Sequence, residues 1–362
     1  MEWSPVNEFL RQLKERFLTW TKMKSLVTGE IVGLDIGSDS IKLLKLKQIN
    51  DQPQVEGFGV TALPEGIIVK DEIKNQTALA DLIRTLFSQA KIDTQQVAIA
   101  IPRSKTIIKN ITIDKRLTPE EIESRAWIEA NRLFPDLVGD IYLDFFVSGA
   151  SPQDATQLEL VLVACRKDQI TPYLNVLNLA KLQAVSVDVD AYALERCLKL
   201  MAVEVEGAIG LLNLNADRST LIVVADKSLI YAHDQTYEGQ RLRKQINTYL
   251  QNKPVTQGVD NLFDDTAYQA IFNESLLAHL RHIMQFFYTS RPNVVLKKLI
   301  LSGDCSSIPF ISNFVQKEIN VETQLADLTA QLSFAQDVNA TLFKAHASTL
   351  VLGCGLALTT GP

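Results

Sequence analysis

The sequence predicts an α/β protein of two facing lobes, each built on a β-β-β-α-β unit, with a small α+β piece inserted into the first lobe. Three observations lead there. An apolar, β-branched run at residues 31–36 breaks at Gly37-Ser38-Asp39-Ser40 and resumes at 41–46, the pattern of a tight hairpin. The same succession of strands, helix and buried strand returns from residue 208. Between the copies, residues 106–185 follow a separate pattern of helices and strands. Two similar halves with a cleft between them suit a ligand held across that cleft.

The chain has 362 residues, enough for two domains or one large divided one. Its 46% hydrophobic and 22% charged residues are an ordinary globular balance. A net charge of −6 and a pI near 5.4 remove any global electrostatic case for nucleic acid. Cys165, Cys197, Cys305 and Cys354 lie apart in apolar surroundings with no C-x-x-C pair, as buried thiols of a reducing compartment do. Four histidines and no H-E-x-x-H motif argue against a metalloenzyme. No apolar run nears the roughly 18 residues of a membrane span. The N-terminus lacks a signal-peptide core. A cytoplasmic protein is expected.

Residues 4–24 read as a separate amphipathic helix. Ser4-Pro5 caps and opens it, and Val6, Phe9, Leu10, Leu13, Phe17 and Trp20 share one face. Arg11, Lys14, Arg16, Lys22 and Lys24 make it basic, so it suits either an anionic membrane surface or a docking site on protein. After the first hairpin, 55–60 read as a third strand, 77–90 as a helix, and 97–101 as a buried strand stopped by Pro102. Thr118-Pro119-Glu120-Glu121 is a capping box that starts a helix running to about residue 133, ahead of Phe134-Pro135. Its Glu120, Glu121, Glu123 and Glu129 read as a solvated face. Strands are expected at 141–147, 158–164 and 185–187, with a helix at 171–180. In the second half, strands at 208–214, 219–225 and 228–232 precede helices at 238–250 and 275–290 and a buried strand at 296–301. A helix dense in small residues follows at 346–357. Its Gly353 and Gly355 each cost up to about 1 kcal/mol relative to Ala, which points to tight helix packing.

Three segments carry candidate chemistry. An Asp inside an apolar strand costs free energy unless it is paired or serves a cation, and Asp35 holds that position. Gly37, Ser38, Asp39 and Ser40 form a turn whose amides can ring an anion, and an acidic neighbour suits a phosphate-bound Mg2+. An ordinary capped turn gives the same pattern. The second hairpin places Asn213 and Asn215 where Asp35 and Gly37 stand in the first. Asn tolerates positive φ but brings no negative charge to a metal or a water. The third segment, Ser302-Gly303-Asp304, ends a buried strand. Ile308-Pro309-Phe310 is expected to start a helix there, whose N-terminus favours anions. Ser302 has no evident His and Asp partners, so no hydrolase triad is expected.

Taken in order, the Asp-x-Gly hairpin, second hairpin, Ser-Gly strand end and small-residue helix resemble the motifs of the actin, sugar-kinase and heat-shock chaperone superfamily. Those motifs are its phosphate-1, phosphate-2, adenosine and connecting segments. The placement of the insert resembles that in the FtsA and PilM families. The PilM family of type IV pilus assembly proteins is the nearer likeness. Residues 33–44 match its Gly-x-Asp-Ile-Gly-Ser-x-Ser-Ile-Lys-Leu-Leu hairpin. Residues 119–135 match its Glu-rich helix ending in aromatic-Pro, and 187–194 its Val-Asp-Val-x-x-x-Ala-Leu run. The likeness covers about residues 30–358. It departs where the family reads Asp-x-Gly against Asn213 and Asn215, Gly-Gly against Glu238-Gly239, and Ser/Ala-Gly-Gly against Ser302-Gly303-Asp304.

The resemblance implies an actin-like (ribonuclease H-like) two-lobed fold with an FtsA-type inserted α+β subdomain. It divides the chain into an extension at 1–29, subdomain 1A at 30–105 completed by 186–205 and 338–362, and an insert, 1C, at 106–185. Subdomain 2A is at 206–250, completed by 295–337, and 2B at 251–294. It implies a cytoplasmic scaffold of the pilus inner-membrane assembly complex, peripheral to that membrane, with ATP or ADP and Mg2+ between the lobes. The implied partners are the cytoplasmic N-terminal tail of PilN in a groove by 1C, other pilus inner-membrane components, and a further copy of the chain. In the implied site Asp35 orients Mg2+ through water, Gly37, Ser38, Asp39 and Ser40 surround the phosphates, and Lys42 offsets their charge. Asn213, Asn215, Ala216, Thr220 and Gly239 close the other side. Gly303, Asp304 and Ile308 line the adenosine end, with Arg281 stacked on adenine or held in a surface salt bridge. The missing second-loop carboxylate implies at most a weak ATPase, since losing one preorganised electrostatic group costs on the order of 100-fold in rate. An FtsA-like membrane-associated filament protein, a type II secretion component and a sugar or acetate kinase are the other classes such a chain can serve.

Overall fold

The computed structural model describes residues 30–50, 52–69, 71–133, 138–151, 154, 156–201, 207–252 and 262–359. The expected N-terminal helix, Phe134-Pro135 and residues 253–261 lie outside them. Strands β1 (Val32–Ile36), β2 (Ser40–Ile49) and β3 (Gln52–Ala62) form the expected meander, and the short pair β4 (Ile68–Val69) and β5 (Glu72–Ile73) follows. Helix α1 (Gln76–Gln89) is capped by the Asn75 side chain, which accepts from the Ala78 N–H. It buries Leu79, Ile83, Leu86 and Phe87, the stripe that its spacing predicts. Strand β6 (Gln96–Ile101) then lies parallel to β1.

The insert contains β7 (Thr106–Asp114), α2 (Pro119–Leu133), β8 (Ile141–Ala150) and β9 (Gln157–Arg166), with sheet order β7-β9-β8. Its capping box is reciprocal. The Thr118 N–H donates to the Glu121 carboxylate at 2.8 Å, and the Glu121 N–H to Thr118 Oγ at 3.3 Å. Glu129 departs from the expected solvated face, being buried between Arg125 and Arg132 at 2.9 and 3.1 Å. Helix α3 (Lys167–Leu179) packs Tyr173, Val176 and Leu177 into one core with Leu79 and Ile83 of α1. The chain thus rejoins the first lobe at Lys167, ahead of the expected residue 185, because the apolar stripe of α3 faces α1.

Strand β10 (Gln183–Val189) and helix α4 (Asp190–Met201) lead to the second lobe. That lobe has β11 (Ala208–Leu214), β12 (Arg218–Ala225), β13 (Ser228–Thr236), α5 (Gly239–Asn252), α6 (Thr266–Phe272) and α7 (Ala278–Ser290). It continues through β14 (Leu296–Ser302), α8 (Ile311–Ile319) and β15 (Glu322–Leu325), and β16 (Ser333–Phe334) returns to the first lobe. The sheets are ordered β10-β6-β1-β2-β3-β16 and β13-β12-β11-β14-β15. β1 and β11 each stand between an antiparallel hairpin partner and a parallel strand, so the duplicated unit is present. The expected helix start at residue 308 moves to Ile311, because a 3-10 turn at Asp304–Ser307 intervenes and Phe310 is left-handed.

Of the small-residue helix expected at 346–357, only α10 (Val351–Ala357) forms; α9 (Ala340–His346) ends where that segment begins, and the two helices are bent by 112° across residues 347–350. A Cβ on Gly355 would fall 1.8 Å from the Ala193 carbonyl oxygen of α4, and one on Gly33 of β1 would fall 1.9 Å from the Gly353 oxygen. The absent side chains therefore let α10 touch β1 and α4 backbone to backbone. Helices α4 and α10 share a core with Leu44 and Val55 of the first sheet and Leu211, Ile222 and Ile300 of the second, joining the lobes at the base of the cleft. No single described helix is long and apolar enough to cross a membrane.

Candidate functional site

The β1–β2 register sets Asp35 opposite Lys42, so their side chains share one face of the hairpin. The Lys42 ammonium reaches Asp35 Oδ2 at 3.3 Å. At the tip, the Gly37 N–H donates to the Ser40 oxygen at 3.0 Å, which closes the turn from within. That amide is therefore not free to ring an anion, as the sequence suggested. Across the cleft stands Asp304 of the second lobe. Lys42 Nζ lies 2.9 Å from its Oδ1 and 3.1 Å from its Oδ2, and Ser40 Oγ donates to the same carboxylate at 2.9 and 3.0 Å. Asp39 pairs with Arg243 of α5. The two turns face one another, and their side chains meet.

The second lobe builds Asp304 into place. Gly303 has φ 87°, where a Cβ would lie 2.5 Å from the Leu214 oxygen and 2.6 Å from Asn215 Oδ1, so only glycine fits. Asn215 Oδ1 accepts from the Asp304 N–H at 3.2 Å, and Asn213 Oδ1 accepts from Ser302 Oγ at 3.0 Å. Both second-hairpin side chains thus brace the end of β14. The Ala216 oxygen accepts from the Gln240 N–H at 2.8 Å, and a Cβ on Gly239 would lie 2.1 Å from the Asn215 oxygen. Thr220 is buried opposite Asn213. Ile308 lines a cavity of about 310 Å³ with Ser306, Ala326, Lys344 and Ser348. Arg281 does not join the group; it is exposed on α7 and pairs with Glu318 of α8 at 3.5 Å, the salt-bridge alternative.

Charge is unevenly shared here. Burial pushes the Asp35 carboxyl up; the Lys42 ammonium opposes this and Asp304 adds to it. Burial also pushes Asp304 up, but Lys42 and the hydrogen bonds of Asp39, Lys42 and Ser40 outweigh it and hold it below the usual carboxylate range. Asp39 is pushed up to about 7 by burial and then by the Asp304 charge, with Arg243 opposing. Burial disfavours the Lys42 ammonium, yet Asp304 and Asp35 hold it above the ordinary lysine range. Of the three carboxyls, Asp304 alone is held below its ordinary range, and it lies directly against Lys42.

Hydroxyl, ammonium and guanidinium donors of this kind are the set that receives a polyphosphate. Here the residues suit that group by type, and Asp304 already takes the donors of Ser40 and Lys42. Asp35, the expected Mg2+ residue, faces an ammonium. Among the described residues no group of three His, Cys, Asp or Glu side chains is placed to hold a metal.

Sequence reasoning missed the other links between lobes. Arg218 donates to Asp71 at 2.9 Å. At the turn Arg103–Lys105 that opens the insert, the Arg103 N–H donates to Asp190 at 3.0 Å and the Ser104 N–H to Asp234 of the second lobe at 2.8 Å. No short motif marks such pairs. The nearest signal in the sequence is the run at 187–194, which matches the family pattern without marking Asp190 as a link between lobes.

The protein-family model described as type IV pilus assembly protein PilM matches residues 33–361. Among solved structures, the PilM-PilN type IV pilus biogenesis complex is similar at TM-score 0.75 and 18% identity, covering 91% of this chain and 98% of that one. The ethanolamine utilization protein EutJ of Carboxydothermus hydrogenoformans is similar at TM-score 0.50 and 12% identity, covering 92% and 91%. At such identities the likeness is one of fold. The cell division protein FtsA of Enterococcus hirae is 30% identical over 135 residues, 34% of this chain and 30% of that protein. The match thus spans less than a third of that curated relative.

Proposed function

This chain belongs to the family of type IV pilus assembly protein PilM, and from that premise we propose that it is a cytoplasmic scaffold of the pilus assembly complex, holding the N-terminal tail of a PilN-type protein against its insert. Its fold is actin-like, and the family match is the observation that carries the reading. The partner is proposed because a solved relative is a PilM-PilN complex. The proposed seat is a crevice of about 150 Å³ where the insert's first turn and strand meet both lobes, lined by Arg103, Ile108, Tyr192, Ile230 and Tyr231. Phe146 stands edge-on to Tyr192 at 5.6 Å, and Phe146 and Val147 are exposed beside it. Exposed aromatics around an apolar crevice suit a segment with spaced apolar anchors. Holding such a tail would keep the chain at the inner membrane, with residues 4–24 as a second contact and other pilus components or a second copy as further partners.

The interlobe cleft is proposed to take ATP or ADP, with Mg2+, and to turn it over weakly or not at all. Ser40, Lys42 and Arg243 are the residues that would hold the phosphates, whose charge a bound Mg2+ would partly offset. Asn213 and Asn215 are engaged with Ser302 and the Asp304 N–H, and neither offers a carboxylate to position a water. The test of the scaffold reading is fluorescence anisotropy with a labelled peptide copying a PilN-type N-terminal tail. Wild type is expected to bind saturably, and Tyr192→Ala and Phe146→Ser at least tenfold more weakly. A folded wild type that ignores the peptide ends the reading.

A further inference from the structure

We propose that Asp304 is a tethered anion, whose carboxylate joins the lobes in the place a polyphosphate would take, so that closure of this chain needs no nucleotide and a nucleotide enters only by displacing it. The inference rests on the reading of the cleft as a nucleotide site and adds what governs that site.

Four observations support it. Lys42 is 1% exposed, and a buried ammonium demands an anion beside it. Asp35 alone approaches only to 3.3 Å, whereas Asp304 comes to 2.9 Å and also takes the Ser40 hydroxyl. The carboxylate is itself built in: Asp304 is 6% exposed, its N–H is held by Asn215, and the preceding Gly303 adopts a φ of 87° that fixes the turn. Finally, the surroundings are acidic, with Asp35, Asp39 and Asp304 against Lys42 and Arg243.

A group attached to the chain acts at an effective concentration in the millimolar range or above. A free polyphosphate must outcompete it, and must take Lys42 from a carboxylate already buried against it at 2.9 Å. A surface ion pair would present no such obstacle, because water would screen it and either partner would move aside freely. Burial of both partners is what makes Asp304 an occupant. In the wild type the two lobes are then already drawn together before any nucleotide arrives.

The experiment is titration calorimetry of Mg2+ with inorganic triphosphate against the full chain, as wild type, Asp304→Gly and Asp304→Asn. Both variants are expected to bind at least tenfold more tightly than wild type. Equal or weaker binding by a folded variant overturns the proposal and leaves the cleft a nucleotide site; no binding by any of the three overturns both. Amide hydrogen exchange on the nucleotide-free wild type gives a test that does not depend on the variants folding. Residues 38–42 and 303–307 are expected to exchange slowly without ligand. Fast exchange there, slowed at least tenfold only by triphosphate, overturns the proposal.

Discussion

A carboxylate in an apolar strand must be paired or bind a cation, and Asp35 is such a carboxylate. Both options were open in the sequence, and the structure takes the first, with Lys42 seven residues on as the partner. Asp304 was not readable in the same way. Its meaning depends on Ser40, 264 residues distant, and on a turn from the other lobe. The family resemblance implies a place at the adenosine end, whereas the structure sets Asp304 against Lys42 and Ser40 of the first hairpin. Asp190 is a second case where burial governs a single carboxyl. It accepts from the N–H groups of Arg103 and Ala191, yet burial first and the Asp234 charge second push it up to about 7. The sign follows from linkage. A carboxyl whose folded value lies above its unfolded one keeps a proton that the unfolded chain releases, so its contribution is complete below about pH 4 and is lost as pH rises to about 7. Asp190→Asn keeps an oxygen for both N–H donors and removes the titration. Denaturant unfolding of wild type is expected to lose on the order of 2 kcal/mol or more between pH 4 and 7 through this group. The variant should show a shallower slope, with part remaining from Asp39, which shares the window. Identical slopes would mean that Asp190 titrates as it does in the unfolded chain.

Helices and strands whose signal is local came out as read. The Thr118–Glu121 capping box and the buried stripe of α1 depend only on neighbours within a turn or two. β7 was missed because Ile107 and Ile108 are adjacent, which breaks strict alternation, and because only Ile113 is fully buried. It is a strand because β9 pairs with it along its length, a fact of tertiary structure. The closing segment is a mixed case. Its two glycines correctly signalled tight packing, while the bend between α9 and α10 had no proline to announce it. The packing can be tested at Gly355. A methyl group 1.8 Å from the Ala193 oxygen must push α10 from α4, and both are backbone, so neither yields cheaply. Overpacking of this kind costs about 1–3 kcal/mol or more. Gly355→Ala is expected to lower the urea midpoint accordingly with an unchanged m-value. Gly139→Ala serves as the control, since a Cβ there meets nothing within 4 Å. Equal midpoints for the two variants would remove the close-approach argument.

At the scale of the molecule, the contacts that join the lobes also reach the insert. Lys42 and Ser40 meet Asp304, Asp39 meets Arg243, and Asp71 meets Arg218 across the cleft. The turn Arg103–Lys105 is gripped from both sides, by Asp190 of the first lobe and Asp234 of the second. Arg103 also lines the crevice proposed for the peptide. A change in how the lobes meet at Asp304 therefore has a route to the proposed seat through the second lobe, by way of β13 and Asp234. A route is not yet coupling; coupling is a free energy, and it must be reciprocal. A double-mutant cycle measures it. Asp304→Gly loosens the lobes, Asp234→Ala releases the turn, and peptide affinity is read by anisotropy in wild type, each single variant and the double. Coupling energies between sites typically correspond to 5–150-fold in affinity, or about 1–3 kcal/mol. Asp304→Gly is expected to change the peptide Kd at least fivefold in the wild-type background. In the Asp234→Ala background the same substitution should change it less than twofold, because the turn no longer follows the second lobe. Strictly additive effects would show that the cleft and the crevice act independently, and that the grip on the insert's first turn is structural alone.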